Sequence, residues 1–328
     1  MKMIRIKSFL RLVRYRNLII VALTQYMIRF AIVSPILSVN GFELQLGEFN
    51  FFLLVSATLF ITAAGYVIND YFDTRTDMLN RPDNVIIGRE IPRRTAIILH
   101  WVLNTAGIII GFYLALHIGI VLSGFLFVFV AGLLWFYSTN YNRQFLVGNI
   151  VIAFLTAMVP VIVVIFEIPL LNKEYGNILR INEASFNYIF AWAATYGYFA
   201  FLTTLIRELI KDIEDCEGDM EQGRRSVPIV LGINYTKLII GGLIVLTLIS
   251  LAYVYKAYLM IGFYGETDYL SMMYFVAFLF IPFSLLFYKT IMASSRREYR
   301  SANNLAKLIM LMGLLYGLLV RFIIISSF

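Results

Sequence analysis

The sequence has little charge and almost no cysteine. Lysine, arginine, aspartate and glutamate make up 14% of its 328 residues, whereas 60% of the residues are hydrophobic. A water-soluble domain needs more charge on its surface, so the composition excludes that class and predicts a polytopic membrane protein. Cys216 is the only cysteine, which excludes an intramolecular disulfide and gives no sign of a secreted, disulfide-linked framework.

The sequence also lacks the features of a nucleic-acid-binding protein and of a signal peptide. Its net charge is +7, but the cations lie between hydrophobic runs, a pattern that reports membrane topology, so we expect no nucleic-acid partner. The first 16 residues contain several cations but no short apolar core followed by small residues. We expect residues 1–16 to form an amphipathic lead-in on the cytoplasmic membrane surface.

Nine hydrophobic runs are each about long enough to cross a bilayer as a helix. The runs are 17–37, 48–68, 95–116, 118–138, 146–168, 187–206, 236–256, 269–289 and 304–325. They predict an all-α bundle of nine transmembrane helices in a single domain, residues 1–328. Most lysines and arginines fall on the side of the N-terminus, which the positive-inside rule makes cytoplasmic. We expect a multi-pass protein of the cell membrane whose site faces the cytoplasm.

Two acidic motifs follow the second and sixth runs, and both read D-x-x-D-x-x-x-D. The motif aspartates are Asp70, Asp73 and Asp77, and then Asp212, Asp215 and Asp219. On an α-helix each trio falls within about a third of the circumference, where like charges repel. A solvated acidic helix end is the simplest alternative. The repeated spacing favours a shared divalent cation, because such ions take carboxylate oxygens as ligands. The motif positions also suggest two four-helix halves, about 17–138 and 146–289.

The segments that follow the two motifs are rich in arginine, glycine and proline. Carboxylates and arginines around one cavity suit a diphosphate that a divalent cation bridges to the protein. A diphosphate at a hydrophobic bundle implies that the rest of the ligand is lipid-like, although the positive-inside rule explains each arginine taken alone. The candidate anion-binding residues are Arg75, Arg81, Arg89, Arg143, Lys211, Arg224 and Arg225.

The motif N-D-x-x-D-x-x-x-D, which begins at Asn69, and the motif D-x-x-D-x-x-G-D, which begins at Asp212, resemble those of the UbiA superfamily of intramembrane prenyltransferases. The segment Tyr137-Ser138…Arg143…Gly148-Asn149 resembles the family's pattern between the fourth and fifth helices. One stretch differs. Many members have a basic RPLPSG-like turn after the first motif, whereas residues 84–88 of this chain read Asn-Val-Ile-Ile-Gly.

The resemblance implies a UbiA-like fold and a prenyltransferase whose donor is a polyprenyl diphosphate, with geranylgeranyl diphosphate the expected one. It implies Mg²⁺, for which Mn²⁺ could substitute, held by Asn69, Asp73, Asp215 and Asp219. The metal would stabilise the departing diphosphate. The remaining aspartates, Asp70, Asp77 and Asp212, would complete a second metal site or orient the acceptor. When the diphosphate departs, the allylic carbon of the donor becomes carbocation-like, and Tyr137 and Tyr141 could face it. Aromatic residues at span ends are, however, often interface anchors.

The versions N-D-Y-F-D and D-I-E-D-x-E-G-D most resemble the branch that alkylates geranylgeranylglyceryl phosphate in ether-lipid synthesis. An aromatic acid of quinone biosynthesis is the alternative acceptor within the family. An ion-coupled transporter, from a different class, could also hold paired aspartates. Transporters usually place such residues near the membrane midplane on broken helices, whereas these motifs end hydrophobic runs beside arginines.

Overall fold

The computed structural model describes residues 6–80, 85–181, 183–260 and 267–326, except for the side chains of residues 75–77, 79 and 80. All the regular secondary structure in these ranges is helical, and nine helices are long and apolar enough to cross a membrane. The predicted all-α fold with nine transmembrane helices is therefore confirmed.

The helices are α1 (Ile6–Leu12), α2 (Tyr15–Val39), α3 (Glu48–Asn80), α4 (Arg93–His117), α5 (Val121–Thr139), α6 (Val147–Ile181), α7 (Asn187–Glu221), α8 (Val227–Leu231), α9 (Ile233–Leu259), α10 (Tyr269–Met292) and α11 (Arg296–Ser326). Helix α2 contains a π-helical segment, Ile28–Val33.

Several helices extend well beyond the apolar runs that predicted them. Helix α3 has 33 residues and α7 has 35, and both motifs lie on their polar C-terminal extensions. Helix α6 continues through Pro169 to Ile181, past the predicted end at 168. A hydropathy window detects only the apolar part of a helix, so the polar extensions could not be predicted in this way.

The described chain divides into two compact units. One comprises Met1–Tyr26, Leu44–Gln144 and Val159–Ala193, and the other comprises Met27–Glu43, Phe145–Met158 and Ala194–Phe328. The first motif belongs to the first unit and the second motif to the second unit. The half-repeat suggested by motif position has different limits and stays a prediction.

In the first unit, close packing fixes the helix that carries the first motif. Gly107 of α4 lies against α3 so closely that a Cβ there would be 2.7 Å from Ile61 Cγ1. A Cβ at Gly65 of α3 would lie 2.9 Å from a methyl of Leu134 on α5. Small residues at such contacts let transmembrane helices approach. Helix α3 is therefore held on two sides just before its motif begins.

Within the segment that differs from the RPLPSG-like turn, the described residues 85–87 are apolar and buried. Ile86, Ile87 and Ile91 are buried in a cluster with Leu12 and Val13 of the lead-in and with residues of α3 and α4. Gly88 turns this segment with a φ of 88°, a conformation that favours glycine. Burying an isoleucine side chain contributes about 1.5–3 kcal/mol. The substitution of apolar for polar residues thus packs the loop against the lead-in.

Candidate active site

The first cluster lies on the extension of α3. Asn69 Nδ2 donates to Asp73 Oδ2 at 2.9 Å, one helical turn away. The Asp73 side chain is buried and Asn69 is half-buried. The two residues lie one helical turn apart and in contact, and Asn69 orients the carboxylate of Asp73. The predicted common face of Asp70, Asp73 and Asp77 stays a prediction, since the side chain of Asp77 lies outside the described residues.

Asn142 is a residue of this cluster that the sequence analysis does not single out. Its Nδ2 lies 3.2 Å from Asp73 Oδ1 and 3.3 Å from Asp73 Oδ2. Its Oδ1 is buried and makes no hydrogen bond within the described residues. A buried amide oxygen beside a carboxylate is a suitable ligand for a hard cation such as Mg²⁺. The only sequence signal was its position between Tyr141 and Arg143, in a segment already noted for its resemblance.

Asp70, the neighbour of Asn69, faces a different group. Arg14 Nη2 donates to Asp70 Oδ1 at 2.8 Å, and the guanidinium lies 4.9 Å from the ring centre of Tyr66. Arg14 joins α1 to α2 with a φ of 51°. The left-handed conformation costs a non-glycine residue about 1 kcal/mol. The ion pair with Asp70 and the packing of the lead-in accompany this conformation.

The other residues predicted around the first motif are exposed or half-buried where the structure describes them. Arg89 and Arg143 are exposed, whereas Tyr137 and Tyr141 are half-buried. Arg75 and Asp77 lie on α3, but their side chains are outside the described residues, and Arg81 is outside them altogether.

The second cluster occupies the extension of α7. Asn149 Nδ2 donates to Asp212 Oδ2 at 2.8 Å. Arg296 lies 3.5 Å from Asp215 Oδ1. Sequence reasoning had predicted neither contact, because both partners approach from other helices.

The buried Asp219 carboxylate lies near the end of α7. Arg224 Nε is 3.7 Å from Asp219 Oδ1, and the Arg224 backbone N–H donates to the Asp219 carbonyl at 3.0 Å. Gly223, with a φ of 68°, makes the turn between them. The arginine that follows the motif is therefore folded back onto it.

The flanking cations of the second motif have different environments. Lys211 Nζ lies 4.0 Å from Glu208 Oε2, and Arg207 also pairs with Glu208. Arg225 is exposed. Lys211 and Arg224 are therefore already engaged with carboxylates, whereas Arg225 is accessible to an anion from solution.

Both clusters offer the chemistry that Mg²⁺ needs, since their potential ligands are carboxylate and amide oxygens. The described residues contain no set of three or more His, Cys, Asp and Glu side chains grouped as a metal cage. A metal held by these residues would therefore take few protein ligands from either cluster alone. Mg²⁺ is commonly bound through one or two carboxylates together with substrate phosphates.

The profile of the UbiA prenyltransferase family matches residues 27–315, which is most of the chain. The chain belongs to this family.

Among curated relatives, the digeranylgeranylglyceryl phosphate synthase of Methanothermobacter thermautotrophicus is 33% identical over 204 residues. The match covers 62% of this chain and 64% of that protein, so the chain spans less than two thirds of its length.

Two solved structures share the fold. One, of a digeranylgeranylglyceryl phosphate synthase, has a TM-score of 0.63 at 20% identity and covers 96% of this chain and 98% of that chain. The other is a UbiA homologue from Archaeoglobus fulgidus bound to DMAPP and Mg²⁺, with a TM-score of 0.52 at 14% identity, covering 98% and 100%.

Proposed function

We propose that this protein is a Mg²⁺-dependent prenyltransferase that alkylates geranylgeranylglyceryl phosphate with geranylgeranyl diphosphate in the membrane. The observation that carries the proposal is the oxygen-rich first cluster, in which Asn69 and Asn142 hold the buried Asp73. Family membership and the second motif with the same spacing support it. The ion-coupled transporter finds no support in the family match.

In this proposal both motifs hold one diphosphate through Mg²⁺, with Asn69, Asp73, Asp215 and Asp219 as metal ligands. The ion would stabilise the charge that develops on the departing diphosphate, a contribution of several kcal/mol. Mn²⁺ is expected to substitute. The solved A. fulgidus homologue that binds DMAPP and Mg²⁺ supports this pairing of donor and ion.

The protein's own residues then have three tasks. Arg89, Arg143 and Arg225 are exposed cations that bind phosphate oxygens. The transmembrane helices exclude water, which would otherwise capture the allylic carbon when its bond to the diphosphate breaks. Tyr137 and Tyr141 are proposed to face that carbon. A hydroxyl oxygen of the acceptor would form a bond to that carbon as its bond to the diphosphate breaks, and the hydroxyl proton would leave with the released diphosphate.

The acceptor is assigned from charge and from the curated relatives. Geranylgeranylglyceryl phosphate brings a second phosphate, and the chain has more cations beside its motifs than one diphosphate needs. An aromatic acid carries only one carboxylate. The name of the M. thermautotrophicus relative agrees with the phosphate lipid. We further propose that the N-terminus and the site face the cytoplasm, as the distribution of lysine and arginine indicates.

The test is a prenyl-transfer assay of purified protein with labelled geranylgeranyl diphosphate. Geranylgeranylglyceryl phosphate, hydroxybenzoate and dihydroxynaphthoate are compared as acceptors by kcat/KM. We expect the phosphate lipid to be preferred, and activity to vanish with EDTA and return with Mg²⁺ or Mn²⁺. Preference for an aromatic acid would overturn the assignment of the acceptor but would leave the assignment as a prenyltransferase unchanged. Full turnover with chelator would overturn the metal-dependent reaction.

A further inference from the structure

The first two turns of α11 reach a buried carboxylate of the second acidic motif. Arg300 Nε donates to Glu214 Oε1 at 3.0 Å, and Asn303 Nδ2 donates to Glu214 Oε2 at 3.3 Å. The Glu214 side chain is only 2% exposed. Arg300 itself is 57% exposed, so water screens part of the charge pair, and the firm features of the contact are its short distances and the burial of Glu214. This contact therefore ties α7 to α11 within the motif itself.

A second arginine, one turn earlier on α11, makes a looser contact. Arg296 Nη2 lies 3.5 Å from Asp215 Oδ1, and the arginine side chain is 43% exposed. At this longer distance the pair is weaker than the contact of Arg300 with Glu214, and water and salt screen it further. Asp215 is thus faced by a cation that it can release at little cost, whereas the neighbouring Glu214 is held firmly.

The turn that precedes α11 is held by several hydrogen bonds. Glu298 accepts hydrogen bonds from the backbone N–H groups of Ser294 at 2.7 Å and Ser295 at 3.0 Å. These bonds satisfy donors at the start of the helix. Lys237 Nζ donates to the Ala293 carbonyl at 2.6 Å. Hydrogen bonds therefore hold the backbone at the N-terminal end of α11, and side chains from this end contact α7.

We propose that this end of α11 positions the second motif for the metal-bound diphosphate. Arg300 and Asn303 are positioning residues that hold Glu214 and so aim the neighbouring Asp215. Arg296 is a counter-ion that Asp215 exchanges for the metal. The inference rests on the proposed function, because it assigns Asp215 to Mg²⁺. Two arginines on adjacent turns of one helix then have opposite effects on the Mg²⁺ concentration that the enzyme needs.

The test uses three single substitutions of arginine by glutamine on full-length protein. Arg296→Gln removes the competing cation and should lower the Mg²⁺ concentration for half-maximal activity by about two- to fivefold, the range for a weak ion pair. Arg300→Gln loosens Glu214 and should raise this Mg²⁺ concentration by about two- to tenfold, the net contribution of a typical hydrogen bond. Arg297→Gln is the matched control, since Arg297 is exposed and makes no hydrogen bond or ion pair within the described residues.

A binding measurement accompanies the activity assay. Thermal unfolding is followed as Mg²⁺ is titrated with geranylgeranyl thiolodiphosphate, an unreactive analogue of the donor. Wild type and Arg297→Gln should be stabilised at the same Mg²⁺ concentration. Arg296→Gln should be stabilised at a lower Mg²⁺ concentration than wild type, and Arg300→Gln at a higher one. If Arg300→Gln fails to fold, Asn303→Ala takes its place, because it removes one hydrogen bond and keeps the charge pair.

The outcomes separate the inference from the function on which it rests. Opposite shifts for Arg296→Gln and Arg300→Gln, with Arg297→Gln unchanged, support the inference. Shifts of the same sign, or no difference from Arg297→Gln, overturn it while the wild type still binds and transfers. A wild type that neither transfers a prenyl group nor is stabilised by Mg²⁺ with the analogue overturns the proposed function as well.

Discussion

The two acidic motifs have the same spacing but different surroundings. In the first, amide groups of Asn69 and Asn142 contact the buried Asp73. In the second, arginines lie against Asp215 and Asp219. The contrast concerns these three aspartates, since Asp70 of the first motif pairs with Arg14 and Asp212 of the second accepts from Asn149. A neutral amide orients a carboxylate, whereas an arginine offsets its charge and competes with a metal. Identical spacing therefore does not imply identical roles, and we expect the second cluster to respond more to changes in its cations.

The largest effect should come from removing a carboxylate from either cluster. Asp73→Ala and Asp219→Ala should each abolish measurable prenyl transfer, because each removes a proposed metal ligand whose stabilisation amounts to several kcal/mol. Thermal unfolding without ligand should change little, since the substitutions leave the apolar core intact. Retained activity in both variants would refute a shared metal, and retained activity in one would show that the clusters are not equivalent.

A smaller effect should distinguish two asparagines that each contact a motif aspartate. Asn142→Ala removes a buried oxygen as well as the contacts with Asp73, and should raise the half-maximal Mg²⁺ concentration by about ten- to a hundredfold. Asn149→Ala removes only a donor to Asp212, for which we propose no primary metal role, and should raise it less. The Mg²⁺ dependence of activity measures both. A larger effect at Asn149 would show that Asp212 is the more important ligand.

The smallest effect should come from the arginine of the first cluster. Arg14→Gln removes a partly exposed ion pair with Asp70 and should raise the KM for the donor by about two- to fivefold. Arg14→Gly removes the same charge and also relieves the left-handed backbone, so its melting temperature should exceed that of Arg14→Gln. If Arg14→Gln lost as much activity as Asp73→Ala, the arginine of the first cluster would matter as much as its buried carboxylate, and the contrast with the arginine-rich second cluster would be lost.

Much of the fold could be predicted, because hydrophobic length and helical spacing are local properties of a sequence. The nine spans and the common face of Asn69 and Asp73 are of this kind. Asn142, Arg14 and Arg300 could not be found in this way, since each reaches its carboxylate from a distant part of the chain and carries no periodic signal. The sequence shows the apolar residues Ile86 and Ile87, but their burial against the lead-in could not be predicted, because a short apolar run in a loop has no characteristic period.

Some predictions still await a test of their residues. The metal ligands Asn69, Asp73, Asp215 and Asp219 are proposals drawn from their oxygen chemistry and the family motifs. Buried carboxylates beside arginines also occur in structural ion pairs, and a metal ligand differs from such a pair because its loss changes the binding that the other cluster supports. If substitutions in the two clusters depend on each other in their effect on ligand binding, the substituted residues act as ligands of one site.

The most direct test of a shared metal–diphosphate site is therefore a double-mutant cycle between the clusters. Binding of geranylgeranyl thiolodiphosphate with Mg²⁺ is measured by calorimetry for wild type, Asp73→Asn, Asp219→Asn and the double variant. If both carboxylates hold one metal-bound diphosphate, the first substitution already removes most of that interaction, and the double variant should bind more tightly than the product of the single losses predicts. Losses that simply multiply would indicate two independent sites and contradict the account.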